Sequence, residues 1–336
     1  MGRNVKKSVG KNKYLFVCCM LLVITLAGGI FTKIYVNIEK NGEDTEKIRI
    51  VTSFYPIYIA AKNIVDGSDG VILENLSEPQ TGCMHDYQLT PQDMILLSKA
   101  DLFLVNGGGI ENFLSDVGES YPNLIIQTAT EGLKLLEEDV APVEEDSHPD
   151  EDVQEEHNHG EDIHGEENAH GWMDTRVYAG MVENIADFIS QVDQENAEIY
   201  QENREAYCEK IENLSNQIET IRDTFSKEEN VVIFHEAYEY VAEQYGLSQV
   251  YCLNLDEERQ VSAGEVADVL GEIAGNDVSV ILAEELYGKD MGETVEKETA
   301  CKVYYLDTLV RGTYEKDSYL KGMQRNIDCM KQALEK

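Results

Sequence analysis

VSVILAEELYGKDMGETVEKETACKVYYLD, residues 278–307, reads as strand, helix, strand. Residues 278–283 are a short β-branched apolar run, 289–298 carry helical spacing, and 303–306 are apolar again. Parallel neighbours need a crossover of about a dozen residues or more, so runs spaced like this imply parallel strands joined by a helix. The alternation extends in both directions. Upstream, 231–234 and 250–253 read as strands, 237–245 as a helix ending at Gly246, and 263–273 as another helix; 317–334 reads as the last helix. Residues 229–336 are expected to form one α/β lobe, a mostly parallel sheet flanked by helices.

The first half repeats the scheme. Residues 48–54, 71–73, 101–106 and 124–126 read as strands, the third running into Gly107-Gly108-Gly109. Helices are expected over 56–65, over 91–100 behind Thr90 and Pro91, and over 174–192. A second α/β lobe is thus expected over 48–192. Between the lobes, 193–225 reads as one helix rich in Glu, Asn and Lys. At 1.5 Å per residue it spans roughly 50 Å, longer than a lobe, so 193–228 is expected to be a rigid linking strut. Residues 137–169 interrupt the first lobe with a tract of Asp, Glu and His that has no apolar face and reads as a loop.

The chain has 336 residues, enough for two lobes with their own cores. Its 65 acidic against 27 basic residues give a formal net charge of -38, which repels nucleic acid and disfavours phosphate reading. Arg3, Lys6, Lys7, Lys11 and Lys13 precede an uncharged apolar run over 14–31. Residues 1–32 therefore read as an export signal or a membrane anchor, and 33–47 as a polar tether, with everything after Thr32 outside the cytoplasm. Leu26-Ala27-Gly28-Gly29 resembles the start of a lipoprotein cleavage site, but no Cys follows it. Beyond that run lie Cys83, Cys208, Cys252, Cys301 and Cys329, an odd number with no C-x-x-C spacing, which argues against a thiolate zinc site.

Of seven histidines, His148, His157, His159 and His164 sit in the acidic tract, leaving His85, His170 and His235. His235 follows an apolar strand, and so does Asp307. Ligands of open α/β sheets bind outside the carboxyl ends of strands, where these two fall. Three imidazoles and one carboxylate make a tetrahedral set suited to zinc, whereas exchanging an imidazole for a second carboxylate tilts a site towards manganese. Each of the four, taken singly, reads equally as a hydrogen-bonded structural residue.

The motifs around them carry a resemblance. His85-Asp86-Tyr87-Gln88-Leu89-Thr90-Pro91-Gln92-Asp93 is similar to the H-x-Y-x-x-T-P-x-D motif of the cluster A-I metal-binding proteins of ABC transporters. His170-Gly171-Trp172-Met173-Asp174 resembles that family's H-x-W-x-D, which follows a His-rich acidic loop in zinc members. Phe234-His235-Glu236-Ala237-Tyr238 resembles F-H-D-A-F, and Ala283-Glu284 with Leu306-Asp307-Thr308-Leu309 resembles its closing A-E…L-D-P-L. The resemblance runs from Ile48 to nearly the end of the chain. It implies two lobes joined by a long backbone helix, a metal in the cleft, and His85, His170, His235 and Asp307 as ligands. It also implies Zn2+ as transported cargo, an ABC permease and its ATPase as partners, and a monomer without enzymatic activity. Met84, Ala169, Thr175 and Thr308 stand where many members have proline. Similar zinc members carry a disulfide in the second lobe, which suggests Cys252 with Cys301; Cys208 with Cys329 is a further candidate pair. Glu236 and Glu284 read either as partners orienting an imidazole or as surface carboxylates.

Three alternatives stand beside zinc delivery. The same role for Mn2+ or Fe2+ is the nearest. A zinc hydrolase is disfavoured because His235-Glu236-Ala237-Tyr238-Glu239 lacks the second His of H-E-x-x-H and a fourth protein ligand closes the shell. Some cluster A-I members have been called adhesins, but no sequence feature here forms a binding patch.

Overall fold

Alternating strand and helix produce two four-stranded sheets. In the computed structural model the described residues are 20, 21, 25, 47–77, 84, 85, 87–137, 167–224, 229–255 and 259–335. The first sheet contains β1 (Ile48–Thr52), β2 (Val71–Asn75), β3 (Leu102–Val105) and β4 (Ile125–Thr128), in the order β2-β1-β3-β4. The second contains β5 (Asn230–Ile233), β6 (Ser248–Cys252), β7 (Val280–Ala283) and β8 (Lys302–Tyr305), in the order β6-β5-β7-β8. Every pairing is parallel. The inner strands β3 and β7 are buried along their whole length, as parallel strands covered on both faces must be.

Three helices cross over the first sheet: α1 (Tyr55–Ile64), α2 (Pro91–Leu97) and α3 (Leu114–Ser120). Thr90 and Asp93 close a reciprocal capping box on α2, with Pro91 in its first turn. A 3₁₀ turn (Gly171–Met173) leads into α4 (Thr175–Val192), whose first amides bond the Asp174 carboxylate. Then come α5 (Ala197–Thr224), α6 (Tyr238–Tyr245), α7 (Ala263–Gly275), α8 (Glu285–Glu298) and α9 (Ser318–Leu334).

The long helix begins four residues later than its composition suggests. The Asp193 carboxylate accepts from Asn196 Nδ2 at 2.9 Å and Tyr200 OH at 2.6 Å, which holds a turn between α4 and α5. The 28 residues of α5 extend about 42 Å. Tyr207, Ile211, Leu214, Ile218 and Ile221, spaced three and four apart, form its buried stripe. That stripe packs on α1 and α4 of the first lobe and on α6 and α9 of the second, so one rod braces both. Helix α3 was not legible in the sequence: LSDVGES has a mid-helix Gly118 and buries only Val117.

Residues Ile48–Lys336 form one compact unit, and hydrogen bonds tie its lobes together. Trp172 Nε1 donates to Thr308 O at 2.9 Å, Tyr319 OH to Trp172 O at 2.8 Å, and Tyr55 OH to Ser318 Oγ at 2.8 Å. Phe54 meets the Trp172 ring edge-on at 5.1 Å, and Tyr178 stacks on Tyr319 at 3.7 Å.

The expected disulfides do not form. Cys208, Cys252, Cys301 and Cys329 are free thiols. Cys252 ends β6 and Cys301 precedes β8, strands on opposite edges of the sheet with β5 and β7 between them. Three strand spacings amount to about 14 Å, against roughly 7 Å at most between the Cα atoms of a disulfide. Cys208 Sγ instead faces Ala179 O, and Cys329 Sγ faces Tyr305 O. Nearly all of the expected signal or anchor over 1–32, most of the tether over 33–47, nearly all of the acidic tract with its four histidines, and Cys83 lie outside the described residues. Among the described residues no helix is long and apolar enough to cross a membrane.

Candidate metal centre

The sheet places His235 and Glu236 just beyond β5, Glu284 beyond β7 and Asp307 beyond β8, all at carboxyl ends of strands. His85 lies between β2 and α2, and His170 immediately precedes the 3₁₀ turn.

A shared frame from the first lobe holds His85 and His170. The turn after β3 approaches Ala169 so closely that a Cβ on Gly108, whose φ is +64°, would stand 2.9 Å from Ala169 Cα. Asn106 Nδ2 donates to Ala169 O at 2.9 Å, and Asn112 Nδ2 donates to His85 O at 2.7 Å. The buried Glu111 carboxylate accepts from Asn106 N at 2.6 Å and Gly107 N at 3.1 Å, closing the turn. Burial raises the Glu111 pKa, partly offset by these bonds.

His170 is buried. Its Nδ1 lies 3.0 Å from Asn168 Oδ1, which also accepts from His170 N at 3.0 Å. Donation from Nδ1 selects the tautomer whose Nε2 carries no proton, the form an outer-shell partner fixes in metal-ligating histidines. Burial, then the neighbouring His235 charge, hold His170 well below the usual histidine pKa, although Glu236 opposes this. The Asn168 amide reaches the other lobe, donating to Glu236 O at 3.0 Å and Glu239 Oε2 at 2.9 Å.

The His85 and His170 rings are 5.3 Å apart, and those of His170 and His235 are 5.1 Å apart. Glu236 Oε1 stands 3.2 Å from His85 Nε2 and 3.6 Å from His170 Nδ1. Burial alone would raise the Glu236 pKa; the His85 hydrogen bond and the charges of His170, His235 and His85 outweigh it and bring the carboxyl down to about 2. Among the described residues, His85, His170 and Glu236 offer ligand atoms that all lie within 4.8 Å of one another. Two imidazoles and a carboxylate at that spacing fit a divalent cation such as zinc.

The other two expected ligands are placed differently. His235 Nδ1 accepts from Ala237 N at 3.1 Å, so ligation through its other nitrogen requires this bond to break and the proton to move to Nδ1. Asp307 turns its carboxylate aside: Oδ1 accepts from Leu309 N at 2.9 Å and Oδ2 from Arg325 Nη2 at 2.8 Å. Glu284 faces Arg311 at 3.5 Å. Asn168 was missed in the sequence. Its one local signal is a position two residues before a candidate ligand, where a side-chain oxygen returns to nearby backbone amides.

Two parallel-sheet lobes braced by a long helix, with imidazoles gathered where they meet, define a solute-binding protein of the cluster A-I metal-binding class. The chain belongs to the family of the periplasmic component A of the zinc-uptake complex, ZnuA, whose model matches residues 50–333. It is 28% identical over 329 residues to the high-affinity zinc uptake system protein ZnuA of Bacillus subtilis (strain 168), covering 96% of each chain. It is 28% identical over 297 residues to the iron-binding protein YfeA of Yersinia pestis, covering 87% of this chain and 88% of that one. The structure of Zn(II)-bound AdcA from Streptococcus pneumoniae matches with a TM-score of 0.67 at 24% identity, covering 86% of this chain and 58% of AdcA.

Proposed function

We propose that this protein is the extracytoplasmic receptor of a zinc uptake system, capturing Zn2+ between its lobes and handing it to an ABC permease driven by an ATPase. The observation that carries the reading is the meeting of His85 and His170, from separate loops of the first lobe, with Glu236 from the second. His235 joins them by giving up its bond from Ala237 N, a loss of about 0.5–1.5 kcal/mol that a metal–nitrogen bond offsets. The motifs assign the oxygen donor to Asp307; Glu236 is its rival.

A receptor needs retention followed by release. The bonds that join Trp172 to Thr308 and Tyr319, and Tyr55 to Ser318, oppose wide opening, so capture and release proceed by small movements of the site loops. No reaction is assigned: the family is one of solute receptors. Attachment to the outer face of the membrane falls to residues 1–32.

Calorimetric titration of the purified protein with Zn2+ and Mn2+ tests the reading. Zinc is expected to bind at a one-to-one ratio and at least tenfold tighter than manganese, and simultaneous alanine substitution of His85, His170 and His235 is expected to abolish it. Stronger manganese binding would favour the Mn2+ or Fe2+ role, to which the carboxylate among the donors and the likeness to an iron-binding relative lend weight.

A further inference from the structure

We infer that Tyr240 and Gln244, one turn apart on α6 of the second lobe, are positioning residues that set the place of the ligand His170. The inference rests on the zinc-capture reading and adds to it two residues that act on the ion only through His170.

The Tyr240 hydroxyl is built into a backbone ladder of the first lobe. Glu137 and Glu167, which flank the acidic tract, pair as an antiparallel bridge. The next pair along such a ladder, Leu136 with Asn168, ordinarily exchanges two bonds, one N–H to O in each direction. Asn168 N does donate to Leu136 O, at 2.7 Å. The return path runs through the tyrosine: its OH accepts from Leu136 N at 3.1 Å and donates to Asn168 O at 2.7 Å. Tyr240 is buried, and burial pushes its pKa up to about 12, so the hydroxyl keeps the proton that it donates.

Gln244 holds the other side of His170. Its Nε2 donates to Met173 O at 2.9 Å, and its Oε1 accepts from Thr175 N at 3.2 Å. Residues four apart share one face of a helix, and Gln244 Nε2 also donates to Tyr240 O at 3.1 Å. The two grips thus bracket His170, at Asn168 and at Met173, and both come from the helix that opens just after His235. The His170 and His235 rings, 5.1 Å apart, are thereby held to one rigid element.

The first lobe grips the same stretch through Asn106 Nδ2 on Ala169 O, so loss of the Tyr240 hydroxyl does not free the loop. It lets Leu136 N and Asn168 O close on each other at the roughly 2.9 Å of a direct bond, and Asn168 moves with them. Asn168 Oδ1 faces both His170 N and His170 Nδ1, so the imidazole is displaced too. Stability changes little, because the phenyl ring stays and both backbone groups keep a partner.

A double-mutant cycle tests this, read by zinc competition titration of the full chain with a metal-free melting curve for each variant. Y240F is expected to weaken zinc binding about tenfold, as loss of an outer-shell partner does, while the melting temperature falls by no more than about 3 °C. In an H170A background Y240F should cost less than about twofold more, and in an H85A background the full factor should return. Q244M, which keeps the length and loses both polar contacts, should show the same dependence on His170. In the metal-free protein Y240F should shift the ring-nitrogen NMR signals of His170 and leave those of His85 in place. A tenfold Y240F loss that persists beside H170A overturns the inference, because the hydroxyl then acts elsewhere. So does a Y240F zinc affinity within twofold of the parent, whatever the melting temperature does. H170A that binds zinc as tightly as the parent sinks the capture reading itself, a separate outcome.

Discussion

Replacing Asn168 with alanine tests whether the site is assembled by a bridge between the lobes. The fully buried Asn168 side chain accepts from His170 N, meets His170 Nδ1, and donates to Glu236 O and Glu239 Oε2, all within 2.9–3.0 Å. Truncation leaves the two His170 donors and the Glu236 carbonyl short of a partner. A buried polar group stranded in this way costs about 1–3 kcal/mol, and water entering the space recovers part of it, so the net loss in unfolding free energy should be about 3 kcal/mol. Zinc affinity should fall 10- to 100-fold, the usual consequence of losing an outer-shell partner. N168D separates the two roles: its carboxylate still accepts from His170 but cannot donate to Glu236 O, and it adds negative charge beside Glu236 and Glu239. Urea denaturation of the metal-free protein and competition against a zinc chelator give both quantities. N168A with unchanged stability and zinc affinity within twofold of the parent would refute the bridge.

Further outcomes follow from the same contacts. G108A is expected to lower zinc affinity severalfold and to destabilise the fold by about 1–2 kcal/mol, because a Cβ at φ +64° strains the backbone and presses on Ala169; competition titration and thermal melting check both. Acid should destabilise the metal-free protein in two windows. The folded His170 resists protonation, so only the unfolded chain gains that proton below about pH 6.5, and stability falls as pH drops from there. Glu236, held down to about 2, adds a second loss between roughly pH 4.5 and 2, where the unfolded carboxylate protonates first. Melting curves from pH 7 to 3 read this directly, and H170Q with an undiminished slope between pH 6.5 and 5 would contradict the first window. Alkylation under denaturing, non-reducing conditions should label Cys208, Cys252, Cys301 and Cys329; a recovered Cys252–Cys301 bridge would contradict the strand order. Deleting residues 140–166, within the acidic tract, should leave tight binding within threefold by calorimetry.

What could be read from the chain alone was whatever repeats locally. Strand and helix alternate because apolar residues recur with periods of two and of three to four, and these periods in 48–126 and 230–334 imply two parallel sheets whatever lies far away. The stripe from Tyr207 to Ile221 marks α5 for the same reason. His85, His170 and His235 stood out because only three histidines lie outside the acidic tract and each sits in a recognisable motif. Tertiary structure decided the rest. Whether Glu236 or Asp307 faces the imidazoles depends on Asn254, Leu309, Arg325 and Asn326, in the first case a residue 18 positions away in sequence, and on which rotamer these partners satisfy. The bridge made by Asn168 joins segments about 70 residues apart, and the separation of Cys252 from Cys301 follows from a strand order that neither cysteine's neighbours encode. Periodicity specifies the direction of a side chain relative to its own helix or strand; the partner it meets is set by how the elements pack, which is a property of the whole chain.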